Sequence, residues 1–141
     1  YLELESFRFA NFSYQINVDA VDDVAFIRIP SMLIQPYLEN AIKHGLSHKL
    51  GNKNLSIIFH DDANSMLKVT IEDNGIGRKQ STIINEKRKA SHVSMGMKIT
   101  DERLLLLKER NAKVSIEDLY DASNNPTGTR IILHVPIESK Q

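Results

Sequence analysis

The sequence predicts an α+β domain in two layers, with helices packed on one face of a mixed, mostly antiparallel sheet. Three observations predict it. Several segments alternate apolar and polar residues with a period of two, the mark of half-buried strands. Two others place apolar residues at helical spacing. The segments also run strands, helix, hairpin, loop, helix, hairpin, which suits an α+β arrangement.

In chain order, YLELESF (1–7) reads as the tail of a helix. RFANFSYQINVD (8–19) alternates through Phe9, Phe12, Tyr14, Ile16 and Val18, with one irregularity near Asn11, and reads as a strand. DAVDD is an acidic turn, and VAFIRI (24–29) is a second strand stopped by Pro30. Residues 31–49 read as a helix in which Pro36 marks a kink or the true start. LSIIFHDD and MLKVTIED form a hairpin around the polar ANS. Residues 74–96 lack a core pattern and hold Arg78, Lys79, Lys87, Arg88 and Lys89 against a single Glu86. A loop of that length is a lid or is disordered. MKITDERLLLLKER (97–110) is a second amphipathic helix. AKVSIEDL and TRIILHVP close the fold on either side of YDASNNPTG.

Composition narrows the function. The 141 residues suit one domain, and 41% hydrophobic with 26% charged residues is globular. Eighteen basic residues balance 18 acidic ones, which argues against direct nucleic-acid binding but leaves room for a local basic patch. The absence of Cys removes disulfides, thiolate metal sites and cysteine nucleophiles, and fits a reducing compartment. No apolar run approaches the roughly 18 residues that span a membrane. The chain opens on Tyr1 rather than Met, so a piece of a longer protein is expected.

ENAIKHG (39–45) places Glu, Asn, Lys and His in a helix that otherwise has core character. At α-helical spacing Asn40 aligns with Lys43 and His44, and Glu39 borders them, while Ile34, Leu38, Ala41 and Ile42 point toward the sheet. The pattern suits a solvated stripe or a ligand face. EDNGIG (72–77) carries an Asp off a strand end into a loop with Gly75 and Gly77, either an ordinary turn or a close backbone approach to a ligand. It departs from a dinucleotide fingerprint, because Gln80 stands where the third glycine belongs. Gly96 precedes the second helix, whose free amides would favour an anion. There is no GxxxxGK[ST] loop. His44 and His48 are four apart without an obvious third ligand, so a metal pair there is a poor reading. His60 and His134 sit in strand patterns and read as structural; His92 lies in the lid.

In this order and spacing, ENAIKHG, IEDNGIG, Gly96 and the final Gly128-Thr129 resemble the N, G1 and G2 boxes and terminal GT of the GHKL nucleotide-binding superfamily. That group holds histidine kinases, type II topoisomerases, mismatch-repair ATPases and the ninety-kilodalton heat-shock chaperone. IPSMLIQPYLENAIKHG, the later ERL and YLELESFRF narrow the resemblance to LytS/YehU-type sensor histidine kinases. The resemblance implies the Bergerat (GHKL) fold over residues 8–141, a lid at about 78–95, and residues 1–7 as the end of a dimerisation helix or linker. The cofactors it implies are ATP and Mg²⁺. Asn40 would hold the metal, Glu39 would orient a water or polarise the attacking group, and Lys43 and His44 would meet phosphate oxygens. Asp73 would read the exocyclic amine of adenine with Thr129 beside it. Gly75 and Gly77 would let the chain pass close to the base, and Gly96 would serve the phosphates. Ser94 and Ile99 depart from the second glycine motif, while Gly96 and Arg103 keep it.

The activity implied is transfer of the γ-phosphoryl group to a histidine on a dimerisation domain that precedes residue 1, in a homodimer. The isolated chain should then bind ATP without phosphorylating itself. The family also implies a response regulator, often of the LytTR type, and a cytoplasmic domain of a membrane-anchored protein. Two other readings stay open: an ATPase module with Glu39 as general base, and a non-catalytic interaction domain, which Ser94 and Ile99 motivate.

Overall fold

The computed structural model describes residues 2–8, 11–19, 34–61, 66–80, 83 and 113–137. The expected strand at 24–29, the helix at 97–110, most of the lid, and Ser94, Gly96, Ile99 and Arg103 lie outside the described residues.

Helix α1 (Leu2–Arg8) leads into β1 (Phe12–Asp19). The irregularity near Asn11 is a left-handed residue, φ 61°, that ends the connection and sets β1 to start at Phe12 rather than at Arg8. Helix α2 (Gln35–Asn40) has Pro36 in its first turn, where a missing N–H costs nothing, so Pro36 marks the start and makes no kink. It continues directly into a π-helical stretch, Ala41–Leu46. Strands β2 (Lys53–Asp61) and β3 (Met66–Asp73) form the expected hairpin. Strands β4 (Lys113–Tyr120) and β5 (Pro126–Pro136) form the closing one. β5 begins three residues earlier than its apolar run suggests. Gly128 and Thr129 therefore lie inside the strand, and a register shift at Leu119/Tyr120 absorbs the irregularity.

The five described strands make one sheet in the order β1-β2-β3-β5-β4. β1 and β2 are parallel and every other pair is antiparallel. Parallel neighbours need a crossover, and α2 lies in that connection.

The period of two decides which face is buried. Leu67, Val69 and Ile71 on β3 stand opposite Val135, Leu133 and Ile131 on β5, and all six are buried. Leu55 and Ile57 extend the row onto β2. Tyr37, Leu38, Ala41, Ile42 and Leu46 cover this face from the helix, and Leu2 joins the same cluster from α1. The other face is polar and partly exposed. There Arg130 donates to Glu72 on one neighbouring strand at 2.9 Å and to Glu117 on the other at 3.2 Å. His60 and His134 lie on this same polar face, opposite the one that the described helix Gln35–Leu46 covers.

Candidate functional site

The buried row of β3 does not end on an apolar residue. One more step of the alternation places Asp73 on the core-facing side, 5% exposed, directly opposite Thr129, 8% exposed. A carboxylate there loses water, and burial pushes the Asp73 pKa up to about 6. The backbone N–H of Gly75 donates to its Oδ1 at 2.9 Å, and the Thr129 backbone donates as well, both opposing that rise. An ionised carboxyl offers about four acceptor sites, so two donors leave capacity for an incoming amino group.

Glycines build the walls. Gly128 has φ +145°, and a Cβ on it would run into the backbone of Asp73 and Asn74. β5 can lie this close to the Asp only without a side chain there. A Cβ on Gly75 would strike the backbone of Gly45, and one on Gly45 would come within 2.9 Å of the Asp73 Oδ1. The Ile76 N–H donates to the Gly45 carbonyl at 3.2 Å. The end of the ENAIKHG helix and the glycine loop thus meet backbone to backbone, directly over the buried carboxylate. Gly77, φ +84°, makes the turn at the loop's exit and lies against Pro126.

Asn74 fixes the other side of the loop. Its Oδ1 accepts from the Asn54 N–H at 2.7 Å, its N–H donates to the Asn54 carbonyl at 3.2 Å, and its Nδ2 donates to the Asn52 carbonyl at 3.2 Å. Lys49 Nζ donates to the Asn74 carbonyl at 2.5 Å and adds a positive charge near Asp73.

The π-helical stretch changes the face argument for ENAIKHG. The Ser47 N–H reaches back five residues to the Ile42 carbonyl, at 2.8 Å. A turn of this kind holds more residues than an α-turn. At that pitch the four-residue step from Asn40 to His44 stays close to one turn, while the three-residue step to Lys43 falls well short of it. In keeping with that, Lys43 is exposed while Glu39, Asn40 and His44 are half-buried. Burial, then the charges of Lys43 and His48, push the His44 pKa below its ordinary value, so the ring is neutral at neutral pH. Glu39 accepts from Gln35 Nε2 at 3.2 Å.

The structure therefore brings Asp73, Thr129 and Gly75 together, with Asn40 and His44 on the helix that Gly45 docks onto the loop. Gly96 lies outside the described residues. Gly45, Asn74 and Lys49 escape a reading by motif. Gly45 had a signal, because a glycine inside a helical pattern costs about 1 kcal/mol against Ala and usually has a packing reason. Among the described residues no group of three His, Cys, Asp or Glu side chains could hold a metal ion.

A family of histidine kinase-, DNA gyrase B- and HSP90-like ATPases matches residues 28–139, and the chain belongs to it. Membership brings ATP binding with it. The chain is 32% identical over 104 residues to YwpD of Bacillus subtilis strain 168, covering 74% of this chain and 37% of that protein. It is 29% identical over 141 residues to the sensor protein LytS of Staphylococcus haemolyticus, covering 96% of this chain and 23% of the relative. Among solved structures, the mycobacterial sensor histidine kinase MprB superposes with a TM-score of 0.63 at 17% identity, over 99% of this chain and 91% of that one. The histidine kinase ThkA in complex with the response regulator TrrA superposes at 0.57, with 19% identity, over 97% of this chain and 37% of that one. These structures share the GHKL histidine-kinase catalytic fold.

Proposed function

We propose that the chain is the ATP-binding catalytic domain of a LytS-type two-component sensor histidine kinase. The observation that carries the reading is Asp73, a carboxylate at the end of a core-facing row, roofed by two backbone glycines and paired with Thr129. Such a group orients a ligand that supplies a hydrogen-bond donor and a flat apolar body, as adenine does.

Bound ATP supplies the phosphoryl group that is transferred, with Mg²⁺ compensating its charge. Asp73 accepts from the base, and Thr129 fixes that carboxylate from the neighbouring strand. Asn40 offers the side-chain oxygen for Mg²⁺, and Glu39, held by Gln35, orients the attacking group. His44 enters as a neutral hydrogen-bonding group, and Lys43, exposed beside the Asn40–His44 face, reaches toward the phosphate oxygens by its long side chain. Gly75 and Gly77 shape the loop against the base, and Gly96 serves the phosphates. The acceptor histidine belongs to a dimerisation domain of a homodimeric, membrane-anchored protein, with a response regulator as downstream partner; the LytS and ThkA–TrrA likenesses support this.

Titration of the chain with ATP and Mg²⁺ tests the reading. Asp73→Asn should abolish binding of ATP and adenosine alike. Asn40→Ala should weaken ATP·Mg²⁺ and leave adenosine unchanged. Wild-type affinity in both variants would overturn the assignment.

A further inference from the structure

The glycine loop is tied to its surroundings on three sides. Asn74 joins it to β2, Gly75 and Ile76 join it to the helix, and the third tie lies at the exit. There Arg78 Nε and Nη2 donate to Asp118 Oδ1 and Oδ2, each at 2.8 Å. This is the paired fork geometry that fits a guanidinium to a carboxylate and that an ammonium cannot reproduce.

The place of Asp118 in the sheet gives the contact its meaning. Asp118 on β4 is in register with Thr129 on β5, and Thr129 is in register with Asp73 on β3. Leu55 on β2 faces Asp73 from the other side. One row therefore crosses four strands on the helix-covered face: Leu55, Asp73, Thr129, Asp118. Arg78 leaves the left-handed Gly77 and grips the far end of the row that Asp73 occupies. We infer that Arg78 and Asp118 are positioning residues for the nucleotide, holding the glycine loop at a fixed height over the Asp73–Thr129 pair and so setting affinity for the adenosine end of the ligand. The inference rests on the nucleotide-site reading above.

A purely structural role predicts something different. Both side chains are partly exposed, 51% for Arg78 and 33% for Asp118, and exposed pairs add little to global stability. A loss of binding without a loss of melting temperature is therefore the expected signature. The test measures dissociation constants for ATP and for adenosine, and the ligand-free melting temperature, in the 141-residue chain and its variants. Arg78→Ala and Asp118→Ala should each weaken both ligands by about threefold to tenfold, a range set by a pair worth up to roughly one decade in affinity. Arg78→Lys should recover only part of the loss. The double Ala variant should be no weaker than either single one, because both remove the same contact. Arg78→Asp combined with Asp118→Arg should bind more tightly than either change alone. Wild-type affinity in the single variants, additive losses, or a loss confined to ATP, which marks direct phosphate contact, would each overturn the inference. Loss of binding in Asp73→Asn beside unchanged Arg78 variants would overturn it alone. A wild-type chain that binds neither ligand would overturn both readings.

Discussion

Asp73 opposes folding and serves binding. Its folded pKa of about 6 lies above the ordinary value of 3.8, so the folded state holds this proton more tightly than the unfolded chain does. The sign follows: as pH rises from 3.8 to 6 the folded state loses stability, and above 6 the full penalty, on the order of 3 kcal/mol, persists. Asp73→Asn keeps an acceptor for the Gly75 N–H and removes the charge. The ligand-free variant should therefore be about 1–3 kcal/mol more stable than wild type near neutral pH, with the gain vanishing below pH 4. Urea titrations across that range, read as a difference between the two proteins, isolate this group from His44, whose lowered pKa acts below 6.5 in the opposite sense. Binding should follow the ionised form, so ATP affinity should fall about tenfold per pH unit below 6. Gly45 carries the second prediction at this scale. Gly45→Ala forces a methyl group within 2.9 Å of the Asp73 carboxylate. It should weaken nucleotide binding at least tenfold despite the better helix propensity of Ala. Asp73 itself is legible in sequence, because the period of two carries it onto the core face and DNGIG follows it. The partnership of Gly45 with Gly75 is not, since the two glycines are thirty positions apart and only the packed fold shows their contact.

At the scale of elements, α2 and its π-helical continuation are held by burial rather than by capping. Ile34, at the N-cap, makes no side-chain capping bond, while Tyr37, Ile42 and Leu46 are each 1% exposed. Ile42→Ala should cost about 2–5 kcal/mol in urea unfolding. It should also weaken nucleotide binding, because the same helix presents Asn40 and seats Gly45. The ladder on the other sheet face predicts the contrast. Arg130 and Glu72 are 37% and 41% exposed, so Arg130→Ala should change stability by roughly 1 kcal/mol or less, and by less still in high salt. Periodicity reads the strands well because a sheet with one covered face imposes strict alternation on β3 and β5. It reads the helix only in part. Apolar spacing shows where a helix begins and which side is buried, but an i→i+5 turn leaves no mark that distinguishes it from an α-turn. The start of β5 is missed for a similar reason. Pro126, Thr127 and Gly128 look like turn residues, and they pair as a strand because β4 lies beside them.

For the whole molecule, the sheet order sorts chemistry to one end. β2 begins there, β3 ends there, and the β4–β5 hairpin closes against it, so Leu55, Asp73, Thr129 and Asp118 converge without being neighbours in sequence. The hydrophobic face continues into this end with no boundary, which makes the site an extension of the core. A ligand seated there should stabilise the entire domain. At a hundred times the dissociation constant, ATP·Mg²⁺ should add about 2.7 kcal/mol to the unfolding free energy. Thermal melts with and without nucleotide check this, and Asp73→Asn should show no such gain.

The π-helical turn has one further consequence, for insertions and deletions. Between Ala41 and Leu46 the backbone accommodates one residue more than an α-turn of that span, and Lys43 is its exposed member. Removing Lys43 would let the hydrogen bonds revert to ordinary α spacing, so the helix itself would survive. Because the deletion takes out the residue that the wider turn absorbs, the residues after it would keep their direction relative to those before it. Asn40 and Tyr37 would stay in place, and Gly45 and Leu46 would still face the loop and the sheet. A single-residue gap at this point should therefore be tolerated by the domain as well as by the helix, whereas a gap in an ordinary α-turn would rotate everything after it by about 100°.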